Sequence, residues 1–233
     1  MSESKRSKDD DLTVPSKPSL VAAILDVDYT LVPRTSIERM FVRYLWDHGE
    51  LRFSDLLRTI RGLLIDNPGP FSVRIKMNKS YLAGRPVRAL ERLAGVFVAD
   101  KVRPAVSPKA LTALESHRRQ GHCLVLLTGC PEFLVRPLAE ALGIASIIGS
   151  RLEEKDGRWT GRLIPPHPYG AAKRGLLETW AKIETVRLDQ SHAYADSPAD
   201  RAVLEAVGYP HVVNPGRSMR RLAADRGWPV LDW

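Results

Sequence analysis

The chain has 233 residues, of which 44% are hydrophobic and 27% charged. These fractions match ordinary globular domains, so they exclude a chain that is disordered over its whole length. The formal net charge of +8 permits nucleic acid, an anionic membrane surface or a phosphorylated ligand as partner. The cysteines, Cys123 and Cys130, fit neither a disulfide framework nor a metal motif, and no apolar run approaches the length of a membrane span. We therefore expect a soluble protein of the reducing cytoplasm.

The first part of the chain predicts a tail, a buried strand and a block of helices. Residues 1–18 are rich in Ser, Lys and Asp and predict a disordered tail. The continuous apolar run Leu20–Leu25 is typical of a strand buried on both faces of a parallel sheet. Apolar residues then recur every three or four positions, which predicts a small helix bundle. The predicted helices are Ser36 to Gly49, Ser54 to a stop before Asn67, Ser72–Ala83 and Pro86–Ala99.

After Pro104 the pattern alternates between strands and helices, which predicts an α/β fold with a Rossmann-like parallel sheet flanked by helices. The predicted strands are Cys123–Leu127, Ala145–Gly149, Ser191–Ala195 and His211–Asn214, with a hairpin over Arg151–Ile164 that turns at Asp156-Gly157. The predicted helices are Pro108–Arg119, Glu132–Leu142, Ala172–Ile183, Pro198–Val207 and Ser218–Arg226. We expect a catalytic core of residues 19–33 and 104–233, interrupted by a helical cap of residues 34–103.

Two carboxylates follow the first predicted strand, in the sequence Asp26-Val27-Asp28-Tyr29-Thr30. Ligands of parallel sheets bind beyond the carboxyl ends of the strands, so both side chains can face one site. Such close carboxylates resist joint ionisation unless a cation is present or one keeps its proton. A divalent metal would keep Asp26 ionised as a nucleophile, and a protonated Asp28 could act as a general acid. A polar loop that caps a helix is the alternative reading of this motif.

Polar residues also follow later predicted strands. Thr128 and Gly129 end the second strand and could bind phosphate ahead of a helix, although the pair also suits an ordinary turn. Lys173 begins a helix and could neutralise a phosphoryl group, although helical lysines are usually solvated. Asp196 and Asp200 follow the strand Ser191–Ala195; they could bind a hard cation or simply cap a helix.

Taken in order, these motifs resemble the haloacid dehalogenase (HAD) superfamily over nearly all of Leu20–Trp233. The helical insertion is similar to the cap of its phosphoserine-phosphatase-like subgroup, and the segment Arg151–Lys173 looks like uncharacterised hydrolases of that subgroup. The resemblance implies a Mg²⁺-dependent phosphatase whose Asp26 forms an aspartyl-phosphate. Asp28 would protonate the leaving oxygen and then activate water, while its backbone carbonyl contacts the metal.

The same resemblance implies the remaining roles. Thr128 and the Gly129 amide would hold phosphate oxygens, and Lys173 would stabilise their charge. Asp26, Asp28 and Asp196 would form the metal site, with Asp200 as a further ligand or a supporting residue. A small phosphorylated metabolite is the implied substrate.

Features of this sequence depart from the subgroup. Tyr29 occupies a position often filled by glycine. The glutamate that pairs with the amino group of phosphoserine is replaced by Thr35 in our register, with Glu38 a turn further on, which disfavours phosphoserine. The segment 34–103 carries fourteen Lys and Arg against seven Asp and Glu, a net of 14 − 7 = +7. This excess favours a substrate with extra negative charge or a phosphorylated headgroup at a membrane surface, with peripheral membrane contact.

Other readings stay open. The enzyme could act on phosphoserine or histidinol phosphate, or transfer the phosphoryl group to an acceptor alcohol. A basic binding protein on a retired enzyme scaffold is a reading of another class; nucleic acid is not expected, because the basic segment lacks interleaved aromatic residues. The histidines are scattered along the sequence, and we expect them to be surface or core residues rather than metal ligands: His48, His117, His122, His167, His192 and His211.

Overall fold

The computed structural model describes residues 19–66 and 71–233. The predicted tail and the predicted helix stop at residues 67–70 lie outside the described residues. The described strands are β1 (Ala22–Leu25), β2 (Cys123–Pro131), β3 (Ser146–Lys155), β4 (Arg158–Ile164), β5 (His192–Ala195), β6 (Tyr209–Val213) and β7 (Val230–Leu231). The described helices are α1 (Ile37–Asp47), α2 (Phe53–Arg61), α3 (Phe71–Met77), α4 (Val87–Phe97), α5 (Pro108–Arg119), α6 (Glu132–Ala141), α7 (Ala171–Glu184), α8 (Arg201–Leu204) and α9 (Arg217–Arg226).

The described strands form a seven-stranded sheet in the order β4-β3-β2-β1-β5-β6-β7. Every neighbouring pair is parallel except β3 and β4, which form an antiparallel hairpin. The central strand β1 lies between β2 and β5, so the chain reverses its direction of travel across the sheet at this strand. The predicted Rossmann-like sheet is confirmed, as is the hairpin turn: Asp156 and Gly157 both have positive φ, at 52° and 72°.

Both faces of the sheet are covered, which explains why β1 is a continuous apolar run. Ala23 and Leu25 pack into a cluster with α1, α4, α5 and α6. Ala22 and Ile24 point to the other face and pack with α7, α8 and α9. A strand buried on both sides has no reason to alternate between apolar and polar residues.

The bounds of three elements after α5 differ from those predicted. β2 continues past Leu127 to Pro131, with an irregular register, and β3 runs directly into the hairpin. The predicted helix Pro198–Val207 is confirmed only in its first part: a 3₁₀ turn is followed by α8, which stops at Leu204. Residues 205–208 instead form the turn into β6. Glycine fits at position 208 of this turn because a Cβ atom there would lie 1.9 Å from the backbone oxygen of Asp189.

Two helices between β1 and α5, namely α1 and α2, start with a hydrogen bond to a capping side chain. The Ser36 hydroxyl accepts a hydrogen bond from the Arg39 amide, which confirms this predicted cap. The second helix begins at Phe53, before the predicted cap at Ser54, because the Asp55 carboxylate accepts from the Arg52 amide. The third helix ends at Met77, earlier than predicted; a 3₁₀ turn follows, in which the Asn78 side chain accepts from the Ser80 amide.

These helices pack directly on the sheet domain. The ring of Phe41 in α1 lies 5.1 Å from that of Phe97 in α4 and 6.1 Å from that of Phe133 in α6. The hairpin also binds this region, since the Trp159 amide donates to the Arg85 carbonyl. The bounds of the cap, residues 34–103, remain a prediction. None of the described helices is long and apolar enough to cross a bilayer.

We predict that Phe41→Ala lowers the free energy of unfolding by about 3–5 kcal/mol, because it leaves a cavity between α1, α4 and α6. Urea unfolding followed by circular dichroism measures this change. Trp46→Ala in the same helix is the matched control: its side chain is 64% exposed, so a change within about 0.5 kcal/mol is expected. Equal effects of both substitutions would show that this aromatic cluster does not hold α1 to the core.

Candidate active site

The polar residues singled out in the sequence meet at one edge of the sheet. Asp26 follows the last residue of β1, Thr128 and Gly129 lie in the final part of β2, and Asp196 follows β5. Because these strands are parallel and adjacent, their carboxyl ends lie side by side. Lys173, in the first turn of α7, completes the group together with Asp200.

Lys173 is the only described cation hydrogen-bonded to the Asp26 carboxylate. Its Nζ donates to Asp26 Oδ1 at 2.7 Å and to Asp200 Oδ1 at 2.6 Å. The three side chains are almost fully buried. Burial alone would lower the pKa of Lys173, but the carboxylates of Asp200 and Asp26 outweigh it and raise the pKa above its usual value. The ammonium group is therefore charged at any physiological pH.

The carboxylates have more negative charge than Lys173 can balance. Burial raises the pKa of Asp26 to about 6; the Lys173 charge opposes this effect and Asp200 adds to it. Burial and the charges of Asp26 and Asp200 raise the pKa of Asp196 to about 7. Such values indicate that the protein alone does not stabilise full ionisation of this cluster.

A divalent cation fits this charge imbalance. One carboxylate oxygen each from Asp26, Asp196 and Asp200 lie within 4.8 Å of one another. When ionised, these three carboxylates exceed the Lys173 ammonium by 3 − 1 = 2 charges, which is the charge of one divalent cation. Oxygen ligands of this kind suit Mg²⁺, which binds carboxylates at about 2.0–2.1 Å and keeps some of its waters.

The Asp28 side chain has a different environment from Asp26. Its Oδ1 accepts a hydrogen bond from the Ile37 amide at 2.9 Å, at the start of α1. Burial, the charge of Asp26 and then that of Glu38 raise its pKa to about 7. A carboxyl group that keeps its proton near neutral pH can serve as a general acid. Because Oδ1 accepts the amide hydrogen, the proton of the neutral group resides on Oδ2.

The Thr128–Gly129 segment at the end of β2 has hydrogen-bond partners that the sequence did not reveal. The Thr128 hydroxyl oxygen accepts from the Cys130 amide at 3.1 Å. The Ser150 hydroxyl donates to the Gly129 carbonyl at 2.6 Å, so its oxygen accepts from Nδ1 of His167 at 2.7 Å. Burial, helped by nearby lysines, lowers the pKa of His167 to about 4, so this imidazole is neutral. The Cys130 thiol is buried and its pKa is raised, in agreement with a packing role.

A second group missed in the sequence lies in the predicted cap. The Glu38 carboxylate, in the first turn of α1, accepts from Lys79 Nζ at 2.6 Å and from the Tyr81 hydroxyl at 3.0 Å. Lys79 is only 1% exposed, which is rare for a lysine and requires a partner. Glu38 is near enough to raise the pKa of Asp28, so this ion pair lies beside the Asp28 carboxyl group.

Tyr29 adopts the backbone conformation that glycine favours. Its φ is 62°, in the left-handed region that costs a residue with a Cβ about 1–2 kcal/mol. The surroundings hold it there: the Tyr29 amide donates to the Thr35 carbonyl, and the Asn214 side chain donates to the Tyr29 carbonyl. The sequence departure at this position therefore preserves the loop path between Asp28 and α1.

A carboxylate pair after the central strand, a buried lysine and a further acidic pair thus lie together at one edge of a mostly parallel sheet. The chain belongs to the haloacid dehalogenase-like hydrolase family, whose model matches residues 23–205. It is 29% identical over 222 residues to phosphoserine phosphatase SerB1 of Mycobacterium tuberculosis, covering 91% of this chain and 70% of that protein. The family predicted from the sequence is confirmed.

Further similarities cover nearly the whole chain. The chain is 28% identical over 222 residues to a histidinol-phosphatase of Neisseria meningitidis, covering 91% of this chain and 98% of that protein. A solved structure of a protein of unknown function from Bordetella pertussis is 26% identical, with a TM-score of 0.78 over 92% of this chain and 99% of that one. The chain is thus a phosphatase of the HAD-like family.

We predict that Ser150→Ala lowers kcat/KM by about tenfold, because the segment that bears Thr128 and Gly129 loses a hydrogen bond of about 1–1.5 kcal/mol. Steady-state phosphate release on the best substrate measures this effect. Ser116→Ala, in the distant helix α5, is the control and should leave kcat/KM unchanged. An unaltered kcat/KM in Ser150→Ala would mean that the segment holds its geometry without this bond.

Proposed function

We propose that the protein is a Mg²⁺-dependent phosphomonoester hydrolase that acts through an aspartyl-phosphate on Asp26. The observation that carries the proposal is the contact between the buried Lys173 ammonium and Asp26, beside the acidic residues Asp196 and Asp200. A nucleophile held against a fixed positive charge is what phosphoryl transfer needs, since this reaction depends on positioning and charge stabilisation.

The proposed metal ligands are the carboxylates of Asp26 and Asp196 and the backbone carbonyl of Asp28, with Asp200 as a ligand or as the partner of Lys173. A bound Mg²⁺ would polarise a phosphoryl oxygen and neutralise developing charge. The raised pKa values of Asp26 and Asp196 support this assignment, because a nearby cation would favour their ionised forms.

In the proposed first step, an Asp26 carboxylate oxygen attacks phosphorus while the bond from phosphorus to the substrate oxygen breaks. The proton on Asp28 passes to that leaving oxygen and releases an alcohol. Lys173 remains beside the nucleophile, where its ammonium group faces the negative charge of the phosphoryl oxygens. The Thr128 hydroxyl and the Gly129 amide are proposed to hold these oxygens in place.

In the proposed second step, the Asp28 carboxylate accepts a proton from water, and the resulting hydroxide attacks phosphorus. The bond between phosphorus and Asp26 breaks, inorganic phosphate leaves and both carboxyl groups return to their starting states. Because the Asp28 pKa of about 7 lies near neutrality, the group can serve as acid and then as base.

The environment of Glu38 supports a substrate without an amino group. A carboxylate at this position could pair with a substrate ammonium, but Lys79 already lies 2.6 Å from it and Tyr81 donates to its other oxygen. A substrate ammonium would have to displace the buried Lys79 ammonium from Glu38, or share the Glu38 carboxylate with it, at a large desolvation cost. We therefore propose a small phosphomonoester that is neutral or acidic beyond its phosphate, rather than phosphoserine or histidinol phosphate.

The basic excess of residues 34–103 supports the acidic class of substrate, including a phosphorylated lipid headgroup. Histidinol phosphate and phosphoserine remain second candidates, because relatives of this chain carry the names histidinol-phosphatase and phosphoserine phosphatase. Transfer of the phosphoryl group to an acceptor alcohol is a further possibility. It would be detected by measuring phosphorylated acceptor alongside free phosphate.

We predict that Asp26→Asn lowers phosphate release from a panel of phosphomonoesters by about 10⁴-fold, because the amide cannot attack phosphorus. We expect wild-type turnover to require Mg²⁺. In Asp28→Asn, p-nitrophenyl phosphate should give a burst of nitrophenol close to the enzyme concentration, since this leaving group needs no acid while the second step lacks its base.

The control for this experiment is Asp225→Asn, an exposed carboxylate in α9, which should retain full turnover. Turnover of Asp26→Asn at the wild-type rate would refute the proposed nucleophile. A folded wild-type protein that binds Mg²⁺ but hydrolyses no ester in the panel would favour the retired-scaffold reading.

We predict that Lys79→Met raises the kcat/KM ratio of phosphoserine to its analogue without the amino group by at least about tenfold, because Glu38 becomes free to pair with the substrate ammonium. Lys76→Met is the matched control: Lys76 Nζ lies over the Tyr169 ring rather than against Glu38, so the ratio should not change. A wild-type preference for phosphoserine, or an unchanged ratio in Lys79→Met, would contradict this assignment.

A further inference from the structure

Four of the histidines that are scattered in the sequence meet at the amino-terminal edge of the sheet, opposite the catalytic edge. His117 lies in the last turn of α5, His122 directly precedes β2, His192 begins β5, and His211 lies in β6. Because the catalytic residues follow the carboxyl ends of β1, β2 and β5, this histidine cluster is a separate feature of the molecule. The sequence predicted surface or core positions for these residues, and the structure brings their rings together.

The sheet explains how imidazoles from α5, β2 and β5 come together. β2 and β5 are both neighbours of β1, where Ala23 pairs with Leu124 on one side and with His192 on the other. The methyl group of Ala23 is too short to separate the side chains on either side of it. His122 lies just before β2 and two residues from Leu124, so its side chain can project toward the same face of the sheet as Leu124 and His192.

The geometry of three imidazoles is that of a metal site. One ring nitrogen each from His117, His122 and His192 lie within 4.8 Å of one another. The Nδ1 atoms of His117 and His122 are 2.9 Å apart, whereas two nitrogens on one tetrahedral Zn²⁺ are about 3.3–3.4 Å apart. If the two nitrogens moved apart by a further ~0.4–0.5 Å, both could therefore bind one ion.

Two of these imidazoles have neighbours that can accept a proton from the ring nitrogen facing away from the metal. His117 Nε2 lies 2.8 Å from the Tyr194 hydroxyl, and His192 Nδ1 lies 3.1 Å from His211 Nε2. With a metal on His117 Nδ1, its Nε2 proton would be donated to Tyr194. His192 would donate its Nδ1 proton to His211, which leaves Nε2 of His192 for the metal. Partners of this kind orient the ligating rings of metal sites.

We propose that His117, His122 and His192 bind a late first-row divalent cation such as Zn²⁺, with water in the remaining position. Imidazole nitrogen favours Zn²⁺, Ni²⁺ and Cu²⁺ over Mg²⁺, which binds oxygen ligands. His117 is buried while His122 and His192 are half-buried, so solvent reaches the open side of the site. An ion here would join α5, β2 and β5, segments far apart in the sequence, and so stabilise the fold.

The test is a calorimetric titration of the full chain, without a polyhistidine tag, with ZnCl₂ in excess Mg²⁺ that occupies the acidic cluster. We expect a single Zn²⁺ site and a rise in Tm of about 5–10 °C when free Zn²⁺ is about 100 times Kd. His122→Ala and His192→Ala should lose this site, and Tyr194→Phe should weaken it by about 10-fold. Co²⁺ should give visible absorption bands that the same histidine variants lack.

Matched controls separate this site from other zinc-binding groups. His48→Ala removes an imidazole that contacts the Tyr44 carbonyl in α1, and it should keep the Zn²⁺ isotherm. Asp196→Asn, in the acidic cluster, should keep it as well. The proposal is overturned if the wild-type chain binds no Zn²⁺ under these conditions, or if His122→Ala and His192→Ala bind it as the wild type does. It is also overturned if Asp196→Asn alone removes the site.

Discussion

The Lys173 ammonium lies 2.7 Å from Asp26 and 2.6 Å from Asp200, in a position where water is almost absent. Removing these charged groups from water is costly, and the cost is offset only if the partners hold each other closely. The contacts join the end of β1, the start of α7 and the turn after β5, so the site and the fold depend on the same ion pairs. Since one ammonium group cannot neutralise the negative charge of the surrounding carboxylates, the cluster could bind a cation.

The predicted cap is coupled to the chemistry through α1. The amide of Ile37 in its first turn donates to Asp28, and Glu38 follows directly with Lys79 and Tyr81 on its carboxylate. A shift of α1 would therefore change both the hydrogen bond on the proposed general acid and the charge beside it. Phe41 of the same helix packs against Phe133 of α6, and this contact restrains the position of α1. In the proposed mechanism, substrate choice through Glu38 and acid strength at Asp28 would therefore both depend on the position of α1.

The sequence predicted those site residues whose position in the fold follows from the strand directly before them. Asp26, Thr128 and Asp196 each follow an apolar strand, and parallel strands bring their carboxyl ends together whatever the loops do. The parts that it missed depend on contacts between distant residues. Lys79 and Glu38 are 41 positions apart, and nothing in either helical pattern pairs them. The support of Gly129 by Ser150 and His167 likewise requires knowing that the loop after β4 returns over β2.

The two edges of the sheet present different ligand chemistry, for a reason that lies in strand order. At the carboxyl edge, residues after β1 and β5 supply oxygen from Asp26, Asp196 and the neighbouring Asp200. At the amino edge, the strands on either side of β1 supply imidazole nitrogen from His122 and His192. The strand order β2-β1-β5 brings together both the carboxylates and the imidazoles. This strand order cannot be predicted from the spacing of residues in one sequence. Carboxylates alone do not exclude Zn²⁺, since it binds most ligands more tightly than Mg²⁺ does. If the proposed imidazole site binds Zn²⁺ more tightly than the acidic cluster does, it would take up Zn²⁺ before this ion could displace Mg²⁺ from the proposed catalytic site.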